Sequence, residues 1–246
     1  MKIACSSASF ADAIADGRLT QLEWLDLCAN ELEVDGVVFD AAHFPRLDGE
    51  YVAQLRKACV DLGLTVAALA EEAFLETSAS DALARAQALG APLLLLRAPA
   101  ASSDPEAWGR FAESAKTASR LAKAANVTVA LRNAPHTLCE SGADLKRLAK
   151  DVDSAWLRFG PDLASLGADE AGTLPSKSVI ATYSIAEITR FAREDDAEAA
   201  GVLRALQRFR GFVVLERTDL SGPRDAYHAA LERFATLRAR ALAAPA

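Results

Sequence analysis

The chain has 246 residues, 51% of them hydrophobic and 25% charged, which fits one large domain or two small ones and gives no sign of disorder. Its net charge of −7 and pI near 5.1 argue against a nucleic-acid or anionic-membrane surface, because no basic run offsets the acidic total. Aromatic residues make up only 7% and Met is a single residue, so Ala, Leu and Val must supply most of the core.

The opening Met1-Lys2-Ile3-Ala4-Cys5-Ser6 turns polar too soon for an export signal. The longest apolar stretch, Ala91–Leu96, stops at Arg97, far short of the ~18–20 residues that cross a bilayer. Cys5, Cys28, Cys59 and Cys139 are scattered with no Cys-x-x-Cys, so neither a disulfide framework nor a zinc site is expected. These features predict a cytoplasmic protein with reduced thiols.

Short apolar runs alternate with longer segments of helical spacing. The first run is Ile3–Ser6, followed by a helix whose start, Thr20-Gln21-Leu22-Glu23, reads as a capping box. Strands at Gly36–Phe39, Thr65–Leu69 and Leu93–Arg97 follow, and Gly36, Gly63 and Gly90 recur at the unit boundaries. Asp104-Pro105 predicts a capped helix start, with Asn126 able to end that helix in the left-handed conformation. Next come Thr128–Leu131, a second capping-box start at Ser141-Gly142-Ala143-Asp144, and Trp156–Phe159. Pro161–Lys177 predicts a short or irregular sixth helix. Val179–Tyr183 and Phe212–Glu216 complete the strands, with Gly211 placed as a left-handed helix stop and a last helix over Ala226–Leu242.

These strands are nearly continuous in apolar residues, as parallel strands covered on both faces must be. Eight strand–helix units over this length predict a single-domain (β/α)8 barrel spanning 1–246, the TIM-barrel architecture. A doubly wound sheet fits less well, because the first strand runs into Ser6-Ser7-Ala8-Ser9-Phe10 instead of a glycine-rich phosphate loop. No linker rich in Pro, Ser or Gly divides the chain.

In such a barrel the working residues lie at the C-terminal strand ends and in the loops after them. That rule selects Asp40 and His43, Glu71 and Glu72, Arg97, then Arg132, Asn133 and His136, then Asp162, Tyr183, Glu216 and Arg217. A lone loop charge is more often only solvated. Glu216 is the exception, since Phe212–Leu215 carry the chain into the core and leave a carboxylate that needs a partner. His228 lies inside the last helix and reads as a surface or structural residue.

The opening Lys2–Ser7 with Phe10, the segment Leu32–Asp40 followed by His43-Phe44-Pro45, Leu62–Val66, and Gly211–Glu216 resemble the xylose isomerase-like barrels. That family includes sugar-phosphate isomerases and epimerases and an endonuclease branch. The resemblance implies a divalent-metal site, suited to Mn²⁺ or Mg²⁺, built from a Glu on the fifth strand, an Asp after the sixth, a His on the seventh and a Glu on the eighth. Here the last position is Glu216 and the sixth is Asp162, but the fifth is Arg132 and Val179–Ser184 contains no His. A metal beside Arg132 is repelled, whereas Arg132 can pair with Glu216 and Asp162 in its place.

No cofactor is therefore expected, Mn²⁺ or Mg²⁺ returning only if that alignment is wrong. Three readings stay open. In the first, a metal-independent isomerase or lyase uses Glu216 as base, His136 or Tyr183 as acid, and Arg132, Arg97, Asp162, His43 and Asn133 to bind substrate. The second is an inactive relative that binds a small carbohydrate or acid, or serves in an assembly. The third is a conventional metalloenzyme with Glu71, Glu72 or His136 as substitute ligands. An endonuclease is least expected, with three His in the whole chain. The expected partners are a small carbohydrate or anionic molecule and a second copy of the chain, with no nucleic acid and no membrane.

Overall fold

Apolar residues alternate between two destinations along each strand, and that division builds the architecture. The structure, a computed structural model, describes residues 1–46, 48–71, 79–163, 177–184, 209–216 and 223–243. Its strands are β1 (Lys2–Ser6), β2 (Gly36–Asp40), β3 (Thr65–Glu71), β4 (Leu93–Arg97), β5 (Thr128–Arg132), β6 (Leu157–Phe159), β7 (Ile180–Ser184) and β8 (Phe212–Glu216). All paired strands run parallel, in the order β6-β5-β4-β3-β2-β1-β8-β7. The two ends of that order meet through bridges between Phe159 and Ser178 and between Asp162 and Thr182, which brings the sheet round into a barrel.

Ala4, Val38, Ala68, Leu95, Ala130, Ile180 and Val214 fill the interior, with Leu93 and Phe212 packed against them. Their neighbours in sequence, such as Cys5, Phe39, Leu94, Leu131 and Leu215, face the outer helices in the larger core. Among the described residues those helices are α1 (Ala11–Ala15), α2 (Gln21–Asp26), α3 (Gly49–Asp61), α4 (Ala79–Leu89), α5 (Ala107–Ala125), α6 (Gly142–Val152) and α7 (Pro223–Ala243). The capping boxes expected at Thr20 and Ser141 are both formed. Helix α7 docks through Tyr227, whose buried hydroxyl donates to the Leu215 carbonyl at 2.8 Å.

Two local expectations are corrected. Asp104 does not cap α5, because its carboxylate closes a turn by accepting from Glu106 N at 2.9 Å, and the helix begins only at Ala107. Gly211 is not left-handed, unlike Gly63 and Gly90. It is required for another reason: a Cβ there would come within 2.1 Å of the Val179 carbonyl oxygen. The sixth-helix expectation at Pro161–Lys177 falls mostly on residues 164–176, outside the described residues. No helix among the described residues is long and apolar enough to cross a membrane.

All four cysteines are buried and free. Burial pushes the Cys28 thiol well up, and takes those of Cys59 and Cys139 up to about 12. Iodoacetamide at pH 8 is accordingly expected to modify none of the four thiols in the native protein and all of them after unfolding, read by intact mass. Because an unfolded thiol ionises near pH ~8.5, the unfolded chain releases these protons first. The stability these thiols contribute is therefore constant below that pH and is lost as pH rises toward 12.

Candidate functional site

The strand alternation decides which end residues enter the barrel. Arg97 follows Leu93 and Leu95 on the inward face of β4, Arg132 follows Ala130, and Glu216 follows Phe212 and Val214. Strands β4 and β5 are in register with Arg97 opposite Arg132, while Ser184 stands opposite Glu216. Charged side chains from β4, β5 and β8 thus reach the C-terminal mouth.

Arg132 is the hub. Its Nη2 donates to Glu216 Oε1 at 2.8 Å and to Asp162 Oδ2 at 3.1 Å. The three side chains are only 24%, 13% and 18% exposed, for Arg132, Glu216 and Asp162 respectively. Burial works against the Arg132 charge, but the attraction and hydrogen bonds of Glu216 and Asp162 outweigh it and raise its pKa. One guanidinium therefore joins strand five to strand eight and to the loop after strand six.

Asn133 supports this arrangement from below. It is fully buried, and its Oδ1 accepts from Asp162 N at 2.8 Å. Its Nδ2 reaches the Glu140 and Asp162 carbonyls at 3.4 and 3.5 Å. The amide is thus engaged in holding the Asp162 backbone.

The remaining predicted residues lie apart from the hub or outside it. Arg97 is exposed and, among the described residues, its guanidinium has no ion-pair or hydrogen-bond partner. His43 is half-buried with Nδ1 3.0 Å from Ser7 Oγ, and Ser7 Oγ also accepts from Asp40 N. Asp40 caps the turn after β2 by accepting from Ala42 N. His136 is exposed at a positive φ of 59°, its carbonyl tying the loop to Ala101 N. Tyr183 stands opposite Leu215 in the β7–β8 register, and its side chain lies outside the described residues, as do Glu72 and Arg217. Glu71 points away from the mouth and pairs with Arg85 of α4 at 2.5 Å. His228 is exposed on α7, in keeping with a surface role.

Sequence reasoning did not single out Thr182. It is 2% exposed on the inward face of β7, and its Oγ1 has no hydrogen-bond partner. The signal was present in the spacing Ile180-Thr182-Ser184, a period of two inside a run that otherwise reads as uniformly buried.

A sequence model described as "xylose isomerase-like TIM barrel" matches residues 27–237. No curated protein matches the chain significantly by sequence. Among solved structures, an L-ribulose 3-epimerase superposes with a TM-score of 0.79 at 14% identity, covering 98% of this chain and 96% of its own. A probable 3-DHS dehydratase, AsbF, from Bacillus anthracis superposes at 0.77 and 13% identity, covering 96% of this chain and 99% of its own. A xylose isomerase-like TIM barrel/4-hydroxyphenylpyruvate dioxygenase fusion protein superposes at 0.75 and 16% identity. This chain is covered to 98% in that match but spans only 43% of the fusion. At such identities the likeness is one of fold. The match of the family's sequence model over most of the chain carries the assignment further: the chain belongs to the xylose isomerase-like TIM barrel family.

Proposed function

We propose that this is a sugar isomerase/epimerase-like protein whose barrel mouth takes a small carbohydrate or related anion without a divalent ion, Arg132 standing where the family's fifth-strand carboxylate would ligate one. The carrying observation is the double engagement of Arg132 Nη2 with Asp162 and Glu216. Those are the two carboxylates a metal would need. A divalent ion displacing neither residue would face the guanidinium at close range, where repulsion amounts to roughly 8 kcal/mol at about 4 Å and an effective dielectric constant of about 20. Among the described residues no group of three or more His, Cys, Asp or Glu is disposed to hold an ion. Among the described residues the donor set does not fit the metal.

The mouth retains what a metal-free reaction needs. Glu216 is an inward carboxylate suited to take a proton beside a carbonyl, and Arg132 is a fixed donor suited to the oxygen on which charge develops. A second reading, an inactive binder, is favoured by the 2.8 Å engagement of Glu216 itself, which leaves one of its oxygens committed to Arg132.

Elemental analysis of the purified protein with Mn²⁺ titration calorimetry tests the metal-free reading, and no stoichiometric ion and no binding heat are expected. Ketoses, sugar acids and sugar phosphates are then screened by thermal shift, where a rise of about 2 °C or more from one of these classes is expected. A tightly bound stoichiometric metal overturns the reading. Ligand-dependent deuterium uptake at carbon beside the carbonyl, abolished in Glu216→Gln, separates enzyme from binder.

A further inference from the structure

Ser7 and His43 come from neighbouring units and meet in the loops that follow β1 and β2, at the end of the barrel that carries Arg132 and Glu216. Each is held before the two touch. Ser7 is fully buried and opens the 3-10 turn Ser7–Phe10, which Ser6 caps by accepting from Ala8 N. His43 closes the turn Ala41–His43, which Asp40 caps by accepting from Ala42 N. The next residue, Phe44, packs on Phe39 with ring centroids 5.7 Å apart. A turn fixed at both ends thus delivers the imidazole.

The hydrogen bonds then decide which ring nitrogen carries the proton. Ser7 Oγ accepts from Asp40 N at 2.9 Å and lies 3.0 Å from His43 Nδ1. A hydroxyl has one proton to give, and a buried hydroxyl that gives it to nothing is destabilising. Among the described residues Nδ1 is the one acceptor within its reach, so Ser7 donates and Nδ1 accepts. A neutral imidazole with Nδ1 bare carries its proton on Nε2. Among the described residues Nε2 has no hydrogen-bond partner and is not one of the buried unpartnered atoms. On this half-buried side chain it therefore opens to solvent. His43 presents an outward N–H, with its lone pair committed to Ser7. That form suits it neither to ligate an ion nor to take a proton, but to donate to an oxygen.

We infer that Ser7 is a positioning residue of the mouth, locking His43 as the Nε2–H tautomer so that it donates to a carbonyl or hydroxyl oxygen of the ligand. The inference rests on the carbohydrate reading above and names a contact made to the ligand's neutral oxygens. Strand β2 stands two places from β8, which carries Glu216, a separation of ~10 Å along the wall. One small sugar spans that distance with a hydrogen bond at each end. Because Ser7 sets the ring in the free protein, little side-chain freedom is lost when the ligand binds.

Long-range proton–nitrogen NMR spectra of the full chain, labelled at histidine and recorded at pH 8, read the tautomer. The chain has three histidines, and the signals of His43 are those missing from His43→Leu. In the wild type Nε2 is expected to be protonated and Nδ1 bare. A protonated Nδ1 overturns the inference whether or not any ligand is found, and this spectrum decides even if a variant fails to fold. Ser7→Ala is expected to add a measurable share of the Nδ1–H form, while Ser7→Thr, which keeps a hydroxyl, retains the wild-type pattern. An unchanged pattern in Ser7→Ala overturns the positioning role. Calorimetry with D-fructose, D-gluconate and D-fructose 6-phosphate tests the contact itself. At least one of them is expected to bind and to shift the His43 Nε2–H resonance, with His43→Leu about tenfold weaker and Ser7→Ala about threefold weaker. Affinity within about twofold of wild type in His43→Leu overturns the contact and leaves the carbohydrate reading standing. If none of the three probes binds, the contact fails, and the broader screen above decides whether the carbohydrate reading fails with it.

Discussion

Replacing Arg132 by methionine is expected to destabilise the fold by about 3 kcal/mol, lowering the melting temperature by roughly 10 °C. The side chain is nearly volume-matched, so the loss is one of charge and not of packing. Methionine leaves Asp162 and Glu216 with no cation between them, at 18% and 13% exposure. Removing one partner of a buried ion pair costs about 3–5 kcal/mol, and the solvent at the mouth places this cluster at the lower end. An exposed pair gives the contrast: Arg110 bonds Asp104 at 2.6 Å, but the two are 58% and 44% exposed, and Arg110→Met should cost about 1 kcal/mol or less. Adding Asp162→Asn and Glu216→Gln to Arg132→Met should return most of the loss, because the two carboxylate charges that the arginine had balanced are then gone. Urea unfolding midpoints of the four proteins read this directly. If Arg132→Met lies within 1 kcal/mol of wild type, the cluster does not hold the mouth together.

The strands were legible because burial on both faces writes each one as a compact apolar run. Their inner ends were placed well and their outer ends less so. Reading the second and fifth strands as stopping at Phe39 and Leu131 leaves out Asp40 and Arg132, which are still strand but already face the mouth. The charge cluster itself followed from the rule that strand ends carry the chemistry. What could not be read was the direction of each end residue. Glu71 shows why. The β2–β3 register shifts between Val37 and Val38, so that Val37 pairs with Val66 and Val38 with Ala68, passing over Ala67. One extra residue inverts the alternation for the rest of β3. Without it Glu71 would enter the barrel; with it Ala70 enters and Glu71 turns out to Arg85. No local signal in Thr65–Glu71 marks that bulge. The same limit applies to Asn133, selected by its position but oriented by the path of the Asp162 backbone some thirty residues away.

Arg132→Glu should convert the cluster from self-neutralising to metal-binding, and this is the sharpest consequence of reading arginine as the replacement for an ion. Without added metal the variant carries three neighbouring carboxylates and should be less stable than Arg132→Met, since like charges then repel across the same bonds the arginine closed. An all-oxygen site of this kind suits Mn²⁺, which gives up its waters more readily than Mg²⁺. At a metal concentration about 100 times the dissociation constant, binding returns about 2.7 kcal/mol. For a chain of this size that is a rise of roughly 5–10 °C in melting temperature, absent from wild type and from Arg132→Met under identical Mn²⁺. The methionine control matters because it separates relief of carboxylate repulsion by any cation in solution from ligation by a third oxygen. A manganese response confined to Arg132→Glu means that position 132 is a ligand position occupied in this chain by a guanidinium. An equal response in Arg132→Met reduces the effect to screening. No response in either puts the ion's place elsewhere in the barrel, and the argument that Arg132 stands in for a metal fails with it.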